Sequence, residues 1–319
     1  MISPSSKTLS VIIVNRNTSK LLLDCLRHIY ESDLDRRIEV IVVDNGSNDD
    51  SVAAVRTNFP QTIVIEANRN LGFAKANNLG YQNSTGDQIL LVNTDAMLYR
   101  DCISELLTHM EADQRVGMLG PQLVNPDGSR QTSYEITPTL LSEVVGRGVL
   151  KFLFPSQYPG KKTIISTASE VETLIGAVLL IRRAAWEALN GFDDEYFFFF
   201  EETDLACRLR KSGWLVCHVP QARAIHLQGA TAKQYNAAPR IEYYRSRYLF
   251  FRKMYGRPSE LILKVALTLN LTLNTLLLGL ATIVSFGQSE RINHKLVQRG
   301  TLLLWHMKGF PIEAGLPRN

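Results

Sequence analysis

The sequence predicts an α/β fold in which a mostly parallel central sheet is covered by helices and followed by a helical C-terminal extension. Short β-branched runs alternate with helical stretches in the first third of the chain. Runs of this kind that lack apolar–polar alternation form strands buried on both faces, as in parallel sheets flanked by helices. With 319 residues, 45% of them hydrophobic and 21% charged, the chain is long enough for one large domain and an appendage.

Four predicted strands end in polar residues. The strands cover residues 9–14, 40–43, 62–65 and 89–92, and helical periodicity separates them. The polar residues that follow them are, in the same order, Asn15-Arg16-Asn17, Asp44-Asn45, Asn68-Arg69-Asn70 and Asn93-Thr94-Asp95. Because ligands of open α/β sheets bind beyond the carboxyl ends of the strands, these groups are expected to gather at one ligand site.

The pattern changes after a predicted helix over residues 101–113. A strong turn signal, Asn125-Pro126-Asp127-Gly128, predicts a β-hairpin formed by residues 119–124 and 130–134. Residues 135–170 have a mixed composition with several Gly and Pro, which predicts a mobile or specificity-determining region.

Strand character returns at residues 171–181, where Gly176 indicates a bulge or a close approach of the backbone. A helix follows and is expected to end at Gly213. Residues 214–219 predict one more strand, which Pro220 is expected to end.

Charge divides the chain into an acidic and a basic part. Residues 1–239 hold 23 Lys/Arg against 27 Asp/Glu, whereas residues 240–319 hold 12 against 4. We therefore expect an acidic α/β domain over residues 1–239 and a basic, helical, membrane-associating region over residues 240–319. A basic region favours the phosphates of lipid headgroups or of nucleic acid. The cations surround an apolar helix rather than an exposed aromatic platform, so nucleic acid is not the expected partner.

Residues 265–286 carry no formal charge and are long enough in principle to span a bilayer. On a helix, side chains of residues 262–283 fall into a polar stripe and an apolar stripe. The polar stripe contains Lys264, Thr268, Thr272, Thr275, Gly279 and Thr282, and the apolar stripe contains Ile262, Leu269, Leu273, Leu276, Leu280 and Ile283. The separation favours a helix lying in the interface of an anionic membrane, near Arg291, Lys295 and Arg299. The alternatives are a helix that docks its apolar face on the catalytic domain and a true span.

The cysteines and the N-terminus indicate the compartment. The four cysteines are widely spaced, at Cys25, Cys102, Cys207 and Cys217, so neither a zinc site nor a disulfide framework is expected. We expect all four thiols to be reduced. The first residues lack a basic segment followed by an apolar core, so we expect no signal peptide and chemistry on the cytoplasmic side.

Three groups of residues are candidates for chemistry. Asp95 follows a strand and either binds Mg²⁺ or Mn²⁺ together with substrate phosphates or caps a loop. Glu201-Glu202-Thr203-Asp204 lies beside the aromatic residues 197–200, which would raise carboxyl pKa values as a general base requires, yet an acidic first helical turn also suits the helix dipole. His226 is either a metal ligand or a core residue.

Taken together and in this order, these residues resemble the inverting glycosyltransferase family 2, whose fold is the GT-A type. The resemblance covers about residues 9–255. The matching motifs are Ser10-Val11-Ile12-Ile13-Val14-Asn15, Val42-Val43-Asp44-Asn45-Gly46-Ser47, Asn70-Leu71-Gly72-Phe73 with Asn77, Asn93-Thr94-Asp95, Gly191-Phe192-Asp193-Asp194, Glu201-Glu202-Thr203-Asp204-Leu205, Arg208 with Gly213-Trp214, and His226-Leu227-Gln228-Gly229. Within the family, Asn125-Pro126-Asp127-Gly128 and residues 243–256 resemble bacterial rhamnosyltransferases of cell-envelope polysaccharide assembly.

The resemblance implies a nucleotide-sugar site at the strand ends. Asp44 would hydrogen-bond the pyrimidine base. The other implied donor-binding residues are Val14, Asn15 and Arg16 beneath the nucleoside, Gly72 and Asn77 in the same wall, Asn93 near the ribose, and Asp95. Gly176 and Trp214 would lie on the acceptor side.

The resemblance also implies the catalytic and metal-binding roles. Asp95 and His226 would hold Mg²⁺ or Mn²⁺, and Glu202 would be the catalytic base, with Glu201 and Asp204 as acidic neighbours. Two departures from the family pattern are Asn at position 93 and Glu at position 202, where the family often has Asp. The first leaves one carboxylate ligand for the metal, and the second lengthens the arm of the base.

The sequence therefore predicts an inverting glycosyltransferase that moves L-rhamnose from dTDP-rhamnose to a polyprenyl-diphosphate-linked glycan at the cytoplasmic face of the inner membrane, as a peripheral protein. The alternatives are a family 2 transferase that uses a UDP-sugar and a catalytically idle relative that only binds nucleotide sugar or glycan. A nucleotidyltransferase is disfavoured, because Asn15-Arg16-Asn17-Thr18 is not a Gly-rich, basic phosphate loop.

Overall fold

The computed structural model describes residues 8–154, 165–227 and 237–318, and it confirms the α/β prediction. The described strands are β1 (Leu9–Asn15), β2 (Ile38–Asp44), β3 (Ile63–Glu66), β4 (Gln88–Asn93), β5 (Ala96–Leu98), β6 (Val116–Val124), β7 (Tyr134–Glu135), β8 (Ser169–Glu170), β9 (Thr173–Leu174), β10 (Val178–Arg182) and β11 (Leu215–His226). The described helices are α1 (Ser19–Tyr30), α2 (Ser51–Asn58), α3 (Phe73–Gln82), α4 (Cys102–Ala112), α5 (Leu140–Val144), α6 (Arg147–Leu153), α7 (Arg183–Ala188), α8 (Glu201–Lys211), α9 (Ala238–Tyr255), α10 (Arg257–Val284) and α11 (Glu290–Met307).

The main sheet has the strand order β3-β2-β1-β4-β10-β6-β11-β5, and β8 pairs with β11. Strands β1 to β4 are parallel, β10 runs antiparallel to β4 and β6, and β11 is parallel to β6. Strand β11 therefore runs in the same direction as β4, and the carboxyl ends of β1, β2, β4 and β11 lie at one edge of the sheet. This edge is where ligands of open α/β sheets bind.

The strand predicted to stop at Pro220 is longer than expected. Strand β11 continues to His226, and its register against β6 shifts between Val219 and Arg223. A bulge of this kind tolerates proline, because the extra residues do not take part in the ladder of backbone hydrogen bonds. The prediction that Pro220 ends the strand is therefore wrong, and the extension brings His226 to the ligand edge.

The predicted hairpin at residues 119–134 is present only in part. The turn forms, and the Gly128 amide donates to the Asn125 carbonyl over 2.9 Å. Beyond it, the chain meets β6 in an isolated bridge between Val124 and Arg130. The hydroxyl of Ser133 accepts the Leu123 amide over 2.8 Å, so a side chain replaces the backbone partner that a second strand would supply.

The region predicted to be mobile or specificity-determining contains two short helices. Helix α5 begins with a capping box, in which Thr139 and Ser142 satisfy each other's backbone amides. Helix α6 follows and leaves Phe152 85% exposed. Residues 155–164, from the same predicted region, lie outside the described part of the chain.

Two large hydrophobic cores lie on the two faces of the sheet, and a small third cluster contains Ile41, Val43 and Ala76. Helices α1 and α4 pack on one face, where Leu26 and Leu106 are fully buried. The other core contains residues of α7, α8 and the three C-terminal helices, among them Trp186, Phe250 and Leu263. The C-terminal helices therefore pack directly on the catalytic half, and the boundary at residues 239 and 240 stays a prediction.

The apolar stripe of α10 points away from the protein. Leu269 is 66% exposed and Ile283 is 72% exposed, whereas Leu263, Leu267 and Leu271 on another side of the helix are buried. The alternative in which the apolar stripe docks on the catalytic domain is therefore wrong. Among the described helices, α10 is the one that is long and apolar enough to cross a membrane by its length and composition.

Candidate active site

A cavity of about 360 Å³ lies at the ligand edge of the sheet. Nine of the residues predicted to form the site line it: Val14, Arg16, Gly72, Asn93, Asp95, Gly176, Glu201, Glu202 and His226. The carboxyl-end loops of β1 and β4, the end of β11 and the start of α8 therefore meet in one place, as the sequence predicted. Asn15, Asp44, Asn77, Asp204 and Trp214 are not among its lining residues.

Asn15 and Asp44 form a buried network behind the cavity wall. They are partners in the parallel register of β1 and β2, and Asn15 Nδ2 donates to Asp44 Oδ1 over 3.1 Å. The other Asp44 oxygen accepts the Ser47 amide, and Asn15 Oδ1 accepts the Thr18 hydroxyl. The network fixes both strand ends, and direct contact of these two side chains with a nucleoside stays a prediction.

The structure gives Asn77 and Gly72 structural roles. Asn77 is buried within α3 and donates to the Phe73 carbonyl over 2.9 Å. Gly72 has φ +82°, and a Cβ there would lie 2.4 Å from the Phe197 carbonyl oxygen. Only glycine allows this approach without strain, so Gly72 joins the nucleotide half of the site to the segment that leads to α8.

A left-handed turn delivers the acidic residues to the cavity. Phe199 and Phe200 have φ values of 72° and 70°, a region that bulky residues rarely adopt. The Ser246 hydroxyl of α9 donates to the Phe198 carbonyl over 2.8 Å and holds this turn. Helix α8 therefore begins at Glu201, and the first two carboxyl groups of the helix face the cavity.

Glu201 and Glu202 are desolvated carboxyl groups. Burial raises the pKa of Glu202 to about 7, against the opposing effect of backbone amides at the start of α8. Burial and the neighbouring Glu202 together hold the pKa of Glu201 well above its usual range. Part of Glu202 is accessible, but its Oε2 atom is enclosed and has no hydrogen-bond partner among the described residues. A group that loses its proton near neutral pH suits a general base.

Asp204 lies outside the cavity, which corrects its expected place among the catalytic residues. Its carboxylate is 2.6 Å from Arg208 Nε, and Arg208 also donates to the carbonyls of Leu189 and Gly191. Because each helical residue is turned by about 100° from the one before it, Asp204 points away from the direction of Glu202. Its interactions anchor α8 to the loop after α7.

Trp214 is also remote from the cavity, which corrects its expected place on the acceptor side. It immediately precedes the first residue of β11, whereas His226 is the last residue of that strand. The length of the strand separates the two by roughly 30 Å. Trp214 instead packs on Gly117, where a Cβ would lie 2.9 Å from the Trp214 side chain.

Asp95 and His226 come together at the cavity although they are far apart in the chain. His226 Nε2 lies 3.6 Å from Asp95 Oδ1. Burial lowers the pKa of His226, which outweighs the effect of the carboxylate and favours the neutral ring. Two ligands of one octahedral Mg²⁺ are about 3 Å apart, so the spacing of this pair would suit a shared cation, with phosphates and water needed as further ligands.

Gln131 orients His226 and was missed by the sequence analysis. Its amide nitrogen donates to the His226 carbonyl over 2.7 Å, and its Oε1 lies 3.3 Å from His226 Nδ1. Acceptance of the Nδ1 proton by Gln131 leaves Nε2 with its lone pair towards Asp95. Asn93 adds a buried Oδ1 with no hydrogen-bond partner among the described residues, at the same cavity.

The C-terminal segment supplies another part of the wall that the sequence did not predict. Leu316 lines the cavity, and the Pro317 carbonyl accepts a hydrogen bond from Asn70 Nδ2. Arg318 lies 4.3 Å from the centre of the Phe197 ring and pairs with the buried Glu242. Gln228 and Gly229, from the last predicted motif, lie outside the described residues.

The fold and the cavity are those of a glycosyltransferase of the GT-A type. A mostly parallel sheet carries an Asp–His pair, an amide oxygen with no partner among the described residues and a desolvated carboxyl group at its ligand edge. The family model described as "Glycosyl transferase family 2" matches residues 10–189, and the chain belongs to this family. Glu202 and His226 lie beyond the matched residues.

Relatives and solved structures agree with this assignment. The N-acetylglucosaminyl-diphospho-decaprenol L-rhamnosyltransferase of Mycobacterium tuberculosis is 29% identical over 235 residues, which are 68% of this chain and 75% of that protein. The rhamnosyltransferase WbbL of Escherichia coli is 26% identical over 166 residues, 49% of this chain and 60% of that protein. The mannosyltransferase PcManGT of Pyrobaculum calidifontis, solved with GDP-Man and Mn²⁺, has a TM-score of 0.54 at 17% identity and covers 96% of this chain and 88% of its own.

Proposed function

We propose that the protein transfers L-rhamnose from dTDP-rhamnose to a hydroxyl group of a polyprenyl-diphosphate-linked glycan, with inversion at the anomeric carbon. The observation that carries the proposal is the presence of the desolvated Glu202 carboxyl group and the Asp95–His226 pair in one cavity. The names of two relatives that act as rhamnosyltransferases support the donor sugar, and one of them names a lipid diphosphate acceptor.

The chain's own residues account for the acid–base chemistry. Glu202 accepts the proton of an acceptor hydroxyl, whose oxygen forms a bond to the anomeric carbon while the bond from that carbon to the diphosphate oxygen breaks. Gly176 lies beside the base, and a Cβ at this position would be in ordinary van der Waals contact with Glu202 Cγ, at 3.4 Å. A single displacement inverts the configuration.

Asp95 and His226 would hold Mg²⁺ or Mn²⁺, and Gln131 would keep the imidazole in the neutral form that binds a metal. Such a cation, when bound, neutralises the charge that develops on the nucleoside diphosphate. The Asn93 oxygen, which none of the described residues pairs, is available to a ribose hydroxyl or to the same cation's water shell.

A donor panel tests the reaction and separates it from its alternatives. The protein is incubated with dTDP-rhamnose, UDP-sugars and GDP-mannose, each with N-acetylglucosaminyl-diphospho-decaprenol, and the product's anomeric configuration is read by NMR. We expect transfer from dTDP-rhamnose with inversion. Transfer from a UDP-sugar but not from dTDP-rhamnose would mean that the donor is a UDP-sugar. Binding of a nucleotide sugar without any transfer would favour the alternative of a catalytically idle protein.

We also propose that the protein is peripheral at the cytoplasmic face of the inner membrane. The exposed apolar stripe of α10 supports this, and so does the packing of α5 against α10, because α5 and α6 leave Leu141, Val149 and Phe152 exposed nearby. The excess of Lys and Arg after residue 239 suits anionic lipid.

A further inference from the structure

A second cavity, of about 420 Å³, lies between α9, α10 and α11. Phe199 and Pro239 line both this cavity and the donor cavity. Its polar groups come from all three helices: Arg240, Tyr243 and Tyr244 from α9, Asn270 from α10, and Arg299 from α11. The cavity therefore adjoins the place where Glu202 acts, on the side of the C-terminal helices.

The charge in this cavity is positive and, within the described residues, uncompensated. The neighbouring arginines of α9 each have a carboxylate partner, as Arg245 has in Glu242, Arg247 in Glu143 and Arg252 in Glu195. Within residues 8–154, 165–227 and 237–318, by contrast, Arg240 and Arg299 form neither an ion pair nor a side-chain hydrogen bond.

Arg240 and Arg299 line the same cavity from two different helices. Burial raises the pKa of the Tyr244 hydroxyl in this cavity, and the positive charges of Arg299 and Arg240 partly oppose that rise. Arg240 is exposed and Arg299 is half-buried, so both guanidinium groups are accessible from solvent. An anion with several oxygens suits them, because guanidinium groups bind phosphate through paired hydrogen bonds.

An exposed apolar surface begins at the rim of this cavity. On the α10 helix, Leu277 lies two turns beyond Asn270 on nearly the same side, and Leu273 is displaced from Asn270 by about 60°. Leu273 is 58% exposed and Leu277 is 54% exposed. An anion held by the arginines would thus have the sugar-transfer cavity on one side and an apolar surface on the other.

We propose that Arg240 and Arg299 bind the diphosphate of the lipid-linked acceptor. The sugar attached to the diphosphate then enters the donor cavity past Phe199 and Pro239, and the polyprenyl chain lies along the exposed side of α10. Tyr244 and Asn270 also line this cavity and carry hydrogen-bond donors. The inference rests on the proposed function, because it takes the acceptor to be a glycosyl diphospholipid.

The test compares two acceptors in detergent. One is N-acetylglucosaminyl-diphospho-decaprenol, and the other is octyl N-acetylglucosaminide, which lacks the diphosphate. We expect the Arg240→Ala/Arg299→Ala variant to raise the KM for the diphospho acceptor by roughly 100-fold or more, since the charged hydrogen bonds of two guanidinium groups are lost together. The KM for the octyl glycoside, the KM for donor and kcat should stay near the wild-type values.

Two further variants serve as controls for the double alanine variant. Arg291→Ala/Lys295→Ala removes two cations from α11 away from the cavity lining, so it should move both acceptor KM values by the same factor. Arg240→Lys/Arg299→Lys should recover part of the lost affinity if it folds as the wild type does in thermal unfolding. A KM rise of equal size for both acceptors would overturn the proposal, because the arginines would then act on the sugar or on the fold.

Two further outcomes are informative. One shows whether the cavity binds lipid headgroups instead of the acceptor diphosphate, and the other separates failure of this proposal from failure of the proposed function. If the double alanine variant loses binding to phosphatidylglycerol vesicles while the ratio of the two acceptor KM values is unchanged, the cavity binds headgroups and the proposal is wrong. If the wild type transfers to neither acceptor, the proposed function fails, and binding is then measured directly with decaprenyl diphosphate. Tight binding by wild type with loss in the double variant supports the arginine site, and equal binding by both overturns it.

Discussion

Replacement of Glu202 by glutamine should destroy activity and stabilise the protein at alkaline pH. The substitution keeps the size of the side chain and removes the group that accepts the proton. General base catalysis contributes roughly 10²- to 10⁴-fold, so we expect kcat to fall by a factor in that range, with little change in donor binding. In the wild type, kcat/KM should rise with pH through about 7, because the ionised carboxylate is the active form.

The stabilisation follows from the raised pKa. The unfolded Glu202 loses its proton near 4.5, whereas the folded one holds it to about 7, so wild-type stability declines as pH rises across this window and the loss is complete above it. This difference between the folded and unfolded pKa values lowers the free energy of unfolding by up to about 3 kcal/mol at pH 8. Glutamine does not titrate, so Glu202→Gln should gain this amount relative to wild type at pH 8 and almost none of it at pH 4.5.

Urea unfolding at pH 4.5 and pH 8 measures the change in stability. Initial rates of transfer, measured without urea on the same protein preparations, give the loss of activity. Glu170→Gln is the control, since Glu170 is exposed on β8. Its unfolding free energy should differ from the wild-type value equally at both pH values. Retention of most activity by Glu202→Gln would remove Glu202 from the role of base, and a stability change independent of pH would refute the account of its desolvation.

Four other variants test the remaining parts of the site and the surface. Asp95→Ala should abolish metal-dependent donor binding in calorimetry, and wild-type activity in excess chelator would contradict a metal role. Gln131→Ala should lower the apparent Mn²⁺ affinity by roughly 10- to 100-fold with the KM for acceptor unchanged, a split that a general folding defect would not produce. Gly72→Ala should cost about 2–4 kcal/mol of stability in denaturant unfolding, because the new Cβ meets Phe197 at a positive φ; a neutral result would mean that the segment shifts freely. Leu269→Asp/Leu276→Asp should reduce co-sedimentation with anionic vesicles, whereas Ile63→Asp, at an exposed position on β3, should not; undiminished binding would exclude the α10 stripe as the contact.

The sheet and most of the cavity were predictable because they depend on local patterns. Apolar runs set the strands, and their polar ends identified Asn93 and Asp95 at the cavity. His226 was placed correctly by its motif even though the strand that carries it was predicted to stop at Pro220. The bulge that lets β11 continue depends on pairing with β6, which a linear pattern does not reveal.

Other parts of the site depend on contacts between distant segments. Gln131 orients His226 across 95 positions of sequence, and no spacing rule predicts such a pair. The left-handed Phe199 and Phe200 violate the usual preference of aromatic residues, so propensity argues against the turn that the structure contains. Asp204 belonged to the right motif but pairs with Arg208, because the helix turns it away from the cavity.

The C-terminal wall of the donor cavity has a practical consequence for work with soluble fragments. A truncation before α10 would remove the exposed apolar helix, but it would also remove Leu316 from the cavity and Arg318 from the ring of Phe197. The buried Glu242 would lose one of its two arginine partners at the same time. A soluble fragment made in this way would report a donor site with an altered wall, so substitutions on the outer side of α10 are the better route to a soluble enzyme with an intact cavity.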